Sequence, residues 1–168
     1  QKPVHLAFDT TNRFIVVPNY AEGTVTSIAF DATTGTLGAI ASSEKLPGER
    51  GPHRIEQNGA HPHGVTFDPA ERFLYVPDKG LDRIFVFHFH EGRLRLINSI
   101  PTREGAGPRH IAFHPTKPYA YVINELDCTV TFYRHDRETG ELIPRQTVLA
   151  LPDCYTGNGR GAEIALSP

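Results

Sequence analysis

The sequence predicts an all-β protein assembled from a repeated four-stranded antiparallel unit. Three observations carry that prediction. The chain is self-similar: with Phe8, Phe67, Phe113 and Leu166 in register, VHLAFDTTNRFIVVPNY, HGVTFDPAERFLYVPDK and RHIAFHPTKPYAYVINE superpose, followed by a shorter copy, AEIALSP. Within each unit the apolar residues form short continuous or alternating runs, and no segment carries a helical apolar period. The 15 Gly and 14 Pro fall mostly in the turns between those runs.

The elements of a unit follow in order. Strand A holds the aromatic anchor and ends at a turn (DTTN, DPAE, HPTK). Strand B is a mostly apolar run: RFIVVP, RFLYVP or YAYVIN. After a polar turn, strand C alternates over Thr24–Phe30, Arg83–Phe89 and Thr129–Arg134. A Gly-x-Leu at Gly35–Leu37, Gly92–Leu94 and Gly140–Leu142 then turns the chain into strand D. Units of about 40–50 residues with four antiparallel strands are β-propeller blades. The expected layout is a blade over 4–44, a long loop over 45–61, blades over 62–101 and 109–151, and the first strand of a fourth blade over 161–168. Propeller rings close with about four to eight blades, so three blades make a sector of a larger ring. The outer flanks of that sector are expected to be apolar and open to self-association.

Composition narrows the function. With 39% hydrophobic residues, 21% charged residues and a net charge of −2, the chain is neither fibrous nor disordered. Nucleic acid and anionic membrane are not expected partners, because both need a concentrated basic face. No apolar run approaches the roughly 18 residues of a membrane helix. The absence of Met means that Gln1 is not an initiator, so the chain is expected to be part of something longer. No charged segment followed by an apolar stretch opens it, and the two Cys form no CxxC pair; both features favour a cytoplasmic protein. A single Cys128–Cys154 bridge is the one disulfide the sequence allows.

Meander topology says where chemistry belongs. If strand A runs down, B returns, C descends and D comes back up. The start of A, the B–C turn and the D-to-A crossover then share one face, with the innermost strand A lining the central channel. This sieve selects His5, His63, Arg109 and His110 at strand A starts, with Ala162-Glu163 opening the fourth copy. Tyr20, Lys79 and Glu125 stand at one equivalent position in the B–C turns. The crossovers are Lys45–Pro62, Thr102–Pro108 and Pro152–Gly161, and long loops gathered on one face are where binding concentrates. His, Arg, Lys and Glu converging on a channel mouth suit general acid–base work on an anionic substrate; a merely solvated, polar mouth is the bland alternative.

Other features carry less. His61-Pro62-His63 lacks a third ligand at metal spacing, so no metal is expected, and no cofactor motif is present. His88 and His90 alternate along a strand C and read as structural, and His114 replaces Asp9 and Asp68 at the A–B turn, where it reads as a turn cap. Gly157–Gly161 lacks the Gly-Lys-Ser/Thr ending and the following helix of a nucleotide loop. No Gly-x-Ser-x-Gly elbow occurs.

HPHGVTFDPAERFLYVPDKGLDRIFVF, EGAGPRHIAFHPTKPYAYVINELDCTVTFY and the closing AEIALSP together resemble the seven-bladed lactonase family, which includes the propeller type of 6-phosphogluconolactonase and the fungal carboxy-cis,cis-muconate cyclases. GAGPRHIAFHP followed by YVINEL is the most specific part, and the resemblance spans nearly the whole chain. It implies about three of seven blades, a small lactone as substrate, and a catalytic set of His63, Arg109 and Glu125; the other residues that the topology selects, Lys79, His110, Tyr20 and His5, are the expected substrate contacts. It leaves open whether His63 or Glu125 is the base. A further basic residue that the family draws from a later blade has no counterpart here. The implied reaction is hydrolysis of 6-phosphoglucono-δ-lactone. Its rivals are lactone formation of the muconate-cyclase kind and a propeller used only as a binding platform.

Overall fold

The computed structural model describes residues 2–167. Twelve strands form three four-stranded antiparallel sheets, each a meander, and no helix occurs among the described residues. The first sheet is β1 (Ala7–Phe8), β2 (Phe14–Asn19), β3 (Thr24–Asp31) and β4 (Thr36–Lys45). The second is β5 (Thr66–Phe67), β6 (Phe73–Asp78), β7 (Arg83–His90) and β8 (Arg93–Pro101). The third is β9 (Pro108–Phe113), β10 (Tyr119–Asn124), β11 (Thr129–His135) and β12 (Leu142–Leu149). These are the three expected blades.

The alternation of the middle blade explains how the sheets stack. Leu74, Val76, Phe85 and Phe87 point to one side, where they join Val16, Val25 and Leu46 of the first blade. Phe73, Tyr75, Ile84 and Val86 point to the other, against Ile111, Ala120, Val122 and Tyr133 of the third. Every residue of β6 is buried, so FLYVPD reads as a continuous apolar run while serving two cores. The second interface also holds a polar lock. The Tyr75 hydroxyl donates to the Gly140 carbonyl and pairs with His135 Nε2, both at 2.9 Å. The outer flanks remain open, with Leu6, Phe8, Leu37 and Ile40 exposed on the first blade and Val148 and Leu149 on the third.

Strand A departs from the expected pattern. In the first two blades it is a two-residue ladder plus one isolated bridge, Pro3 to Asn19 or Pro62 to Asp78. Proline brings no amide hydrogen to such a ladder. In the third blade it runs unbroken over Pro108–Phe113, with an irregularity opposite Ile123/Asn124. Residues 161–167 form no ladder among the described residues, and Pro168, the last residue of the expected fourth-blade strand, lies outside them. Cys128 is buried, Cys154 is exposed and both are free, so the allowed disulfide is not formed.

The A–B turns behave as the repeat predicts. Asp9 Oδ1 accepts from the Arg13 and Phe14 amides, and Asp68 Oδ1 from that of Phe73. At the same position His114 Nδ1 accepts from the Thr116 and Lys117 amides, so the imidazole caps its turn. His88 packs on Phe73, with Nδ1 toward the Arg72 carbonyl.

Candidate active site

All seven residues selected from the sequence meet at one end of the sector. The His110 ring lies between those of His5 and His63, with centroids 4.9 and 5.4 Å away. Tyr20 meets His63 edge-on at 5.6 Å and carries the Lys79 ammonium 5.1 Å from its centroid. Lys79 Nζ lies 3.2 Å from Glu125 Oε1, and Arg109 Nη1 lies 2.6 Å from Glu125 Oε2. A cavity of about 390 Å³ opens among Lys2, Val4, Tyr20, His63, Lys79 and Arg109.

Local sequence explains the convergence. A Cβ on Gly64 would come within 2.6 Å of the Arg109 carbonyl oxygen, so glycine lets the His63 and Arg109 strands pass closely. Gly107 has φ of +63° and would drive a Cβ into Leu126 and the Lys79 stem, so a side chain there is excluded twice over. Its amide donates to Asp82 Oδ1, while that of Gly105 donates to Oδ2. The Glu125 amide in turn donates to the Gly107 carbonyl. The crossover before Arg109 is therefore pinned to two neighbouring B–C turns.

Two of the five members of the charge network, Glu56 and Arg160, were not among the residues selected from the sequence. Lys79 Nζ also holds Glu56 Oε2 at 2.9 Å, and Glu56 Oε1 lies 3.2 Å from Arg160 Nη2. Arg109, Glu125, Lys79, Glu56 and Arg160 thus form a chain of alternating charge across two blades and two crossovers. Glu56 is steadied by Gln57, which is fully buried: its Oε1 accepts from the His53 amide and its Nε2 donates to the Lys79 carbonyl. Glu56, Gln57 and Arg160 stand in crossovers of unequal length, where the repeat gives no register. Their one sequence signal was membership of the long loops on the selected face.

Electrostatics separates the two candidate bases. Burial, reinforced by the Arg109 guanidinium, pulls the His63 imidazole down to about 4, against a partial counter-effect from Glu125. His63 is therefore neutral at pH 7, and its buried Nδ1 has no hydrogen-bond partner among the described residues. Glu125 has each oxygen committed to a cation. Burial acts to lower Lys79, but Tyr20, Glu56 and Glu125 outweigh it and hold the ammonium above its ordinary value. Lys79 is only 4% exposed and has two carboxylate partners, so its charge is spent inside the protein. His5 is lowered by burial and then by His110. Glu163 approaches His110 Nδ1 at 2.9 Å but off the angle of a hydrogen bond, which leaves both His110 ring nitrogens without one.

His61 turns away from His63. It stacks on Tyr20 at 4.4 Å, donates through Nδ1 to the Tyr20 carbonyl and has Nε2 2.6 Å from Asn58 Oδ1. No group of three or more His, Cys, Asp or Glu side chains among the described residues is arranged to hold a metal ion. No helix of the described residues is long and apolar enough to cross a membrane.

Three stacked four-stranded antiparallel meanders, with a neutral histidine and a guanidinium at strand A starts and a doubly paired carboxylate in a B–C turn beside them, define a sector of a β-propeller. Among such proteins the chain belongs to the seven-bladed β-propeller lactonase family, whose model it matches over residues 1–168. It is 35% identical to a 6-phosphogluconolactonase of Bacillus subtilis over 96% of its own length and 46% of that protein's. The 6-phosphogluconolactonase of Erwinia tasmaniensis is 34% identical over 99% of this chain and 47% of its own. Among solved structures, the periplasmic gluconolactonase of Pseudomonas aeruginosa superposes with a TM-score of 0.87 at 27% identity, covering 98% of this chain and 47% of that one. A Lactobacillus plantarum protein gives 0.84 at 29%, covering 92% and 44%. The chain therefore spans about half the length of the relatives it matches.

Proposed function

We propose that the full-length protein carrying this chain hydrolyses a sugar-acid lactone, 6-phosphoglucono-δ-lactone, with His63 as general base. The observation that carries the reading is a neutral His63 imidazole lining the mouth cavity beside an Arg109–Glu125 pair. His63 takes a proton from water as the water oxygen bonds to the lactone carbonyl carbon. The carbonyl oxygen becomes an oxyanion that Arg109 stabilises through its fixed fork of donors. Glu125 orients Arg109, and Lys79 holds Glu125 in place. When the tetrahedral intermediate collapses, the ring C–O bond breaks and the imidazolium returns its proton to the departing ring oxygen. The open-chain acid leaves and His63 is neutral again. His110, His5 and Tyr20 form the wall on which the sugar ring packs.

Hydrolysis is favoured over lactone formation by the relatives' names. Kinetics of single variants test the assignment. Glu125→Gln and Arg109→Ala should each lower kcat/KM about 100-fold or more, and near-wild-type turnover in both would remove these residues from the mechanism. The low cysteine content supports a cytoplasmic setting. In the full-length protein the two open flanks are covered by further blades; exposed in the 168-residue chain alone, they are surfaces for self-association.

A further inference from the structure

A substrate phosphate is best held by a cation whose N–H donors are not taken up by carboxylates. Three cationic side chains line the mouth cavity: Lys2, Lys79 and Arg109. Lys79 is buried between Glu56 and Glu125, and Arg109 is bound to Glu125 beside His63. Lys2 alone of the three has no carboxylate partner among the described residues. Its side chain is exposed, with Nζ 5.4 Å from the Tyr20 ring centroid. Its backbone is not loose: the Tyr20 amide donates to the Lys2 carbonyl at 2.9 Å, and Pro3 bridges to Asn19 next door. The stem of Lys2 is therefore anchored on the rim, and its ammonium lies over the Tyr20 ring.

The mouth is polarised as a result. Arg109 and Glu125 come from the third blade, His63 from the middle blade, and Lys2 precedes the inner strand of the first. A substrate with its carbonyl at the Arg109 end presents its far end toward Lys2. We propose that Lys2 is the specificity-determining residue of this site, selecting lactones that carry a phosphate ester remote from the reacting carbonyl. Tyr20 keeps the ammonium over the cavity while leaving its N–H donors open to the phosphate oxygens. The proposal rests on the lactonase reading given above.

The test compares 6-phosphoglucono-δ-lactone with glucono-δ-lactone in the full-length protein, as wild type, Lys2→Met and Lys2→Arg. The quantity read is the ratio of kcat/KM for the phosphorylated to the unphosphorylated substrate. Lys2→Met should lower it about 10-fold, mostly through KM, the loss of one exposed charge-assisted contact. Lys2→Arg should keep the ratio within about threefold, and added salt should shrink the wild-type ratio. A ratio unchanged in Lys2→Met overturns the proposal and leaves the lactonase reading intact. A wild-type protein that turns over neither lactone overturns the lactonase reading, and the role of Lys2 with it.

Discussion

The strongest leverage on this site is its pH dependence, because the proposed base is His63, whose proton affinity is far from ordinary. Its folded-state value of about 4 lies well below its ordinary 6.5. At about 1.4 kcal/mol per tenfold in proton affinity, that gap corresponds to roughly 3 kcal/mol, and the partly exposed ring lowers the figure to about 2 kcal/mol. The sign follows from which state binds the proton first. As pH falls below about 6.5 the unfolded chain protonates this imidazole while the folded protein does not. The contribution to stability is therefore complete above pH 6.5 and lost progressively down to about pH 4. The same titration sets the acid limb of kcat/KM, since a protonated His63 cannot accept a proton from water. Urea unfolding of wild type and His63→Gln at pH 7 and pH 4.5 isolates the effect, because every other titrating group is common to both. Wild type should lose about 2 kcal/mol more than the variant on acidification, and its kcat/KM should stay level from pH 8 to about 5. An acid limb centred near 6.5, or equal acid sensitivity in the two proteins, would refute the reasoning.

Three further outcomes are expected. Tyr75→Phe removes a buried hydroxyl that bonds both Gly140 and His135, so chemical denaturation should show a loss of about 1–3 kcal/mol with kcat nearly unchanged. Burial pushes the Asp78 carboxyl up to about 7 even though Oδ1 accepts from the His61, Gly80 and Leu81 amides, and Oδ2 has no partner. Ionising it costs stability as pH rises from about 4 toward 7, so Asp78→Asn should gain on wild type at pH 8 relative to pH 5 in the same unfolding assay. The 168-residue chain by itself should elute in light-scattering chromatography as oligomers through Leu6, Phe8, Leu37 and Ile40, and Leu37→Lys with Ile40→Lys should reduce the association.

What was legible in the sequence was whatever the repeat could place in register. Phe8, Phe67 and Phe113 fix strand A, and from them the turn positions of Tyr20, Lys79 and Glu125 follow without any coordinates. Side-chain period 2 then says which face each residue of FLYVPD serves, although not that both faces are buried. The crossovers behave differently. Glu56 and Arg160 belong to segments with no counterpart in the other blades, and their pairing joins residues 104 positions apart. Neither spacing nor composition encodes such a contact, because the loop conformation is set by hydrogen bonds such as Gln57 to the Lys79 carbonyl. The order of the bases was also hidden. His63 and Glu125 are equally eligible by residue type, and only burial and pairing separate them.

The most direct test of the proposed lactonase mechanism is hydrolysis of 6-phosphoglucono-δ-lactone at pH 7 by the full-length protein and by its His63→Gln variant. Wild type should show saturable turnover far above the spontaneous rate, and the variant a loss of about 100-fold or more in kcat/KM. Wild-type hydrolysis no faster than the spontaneous reaction, or a variant as active as wild type, would contradict it.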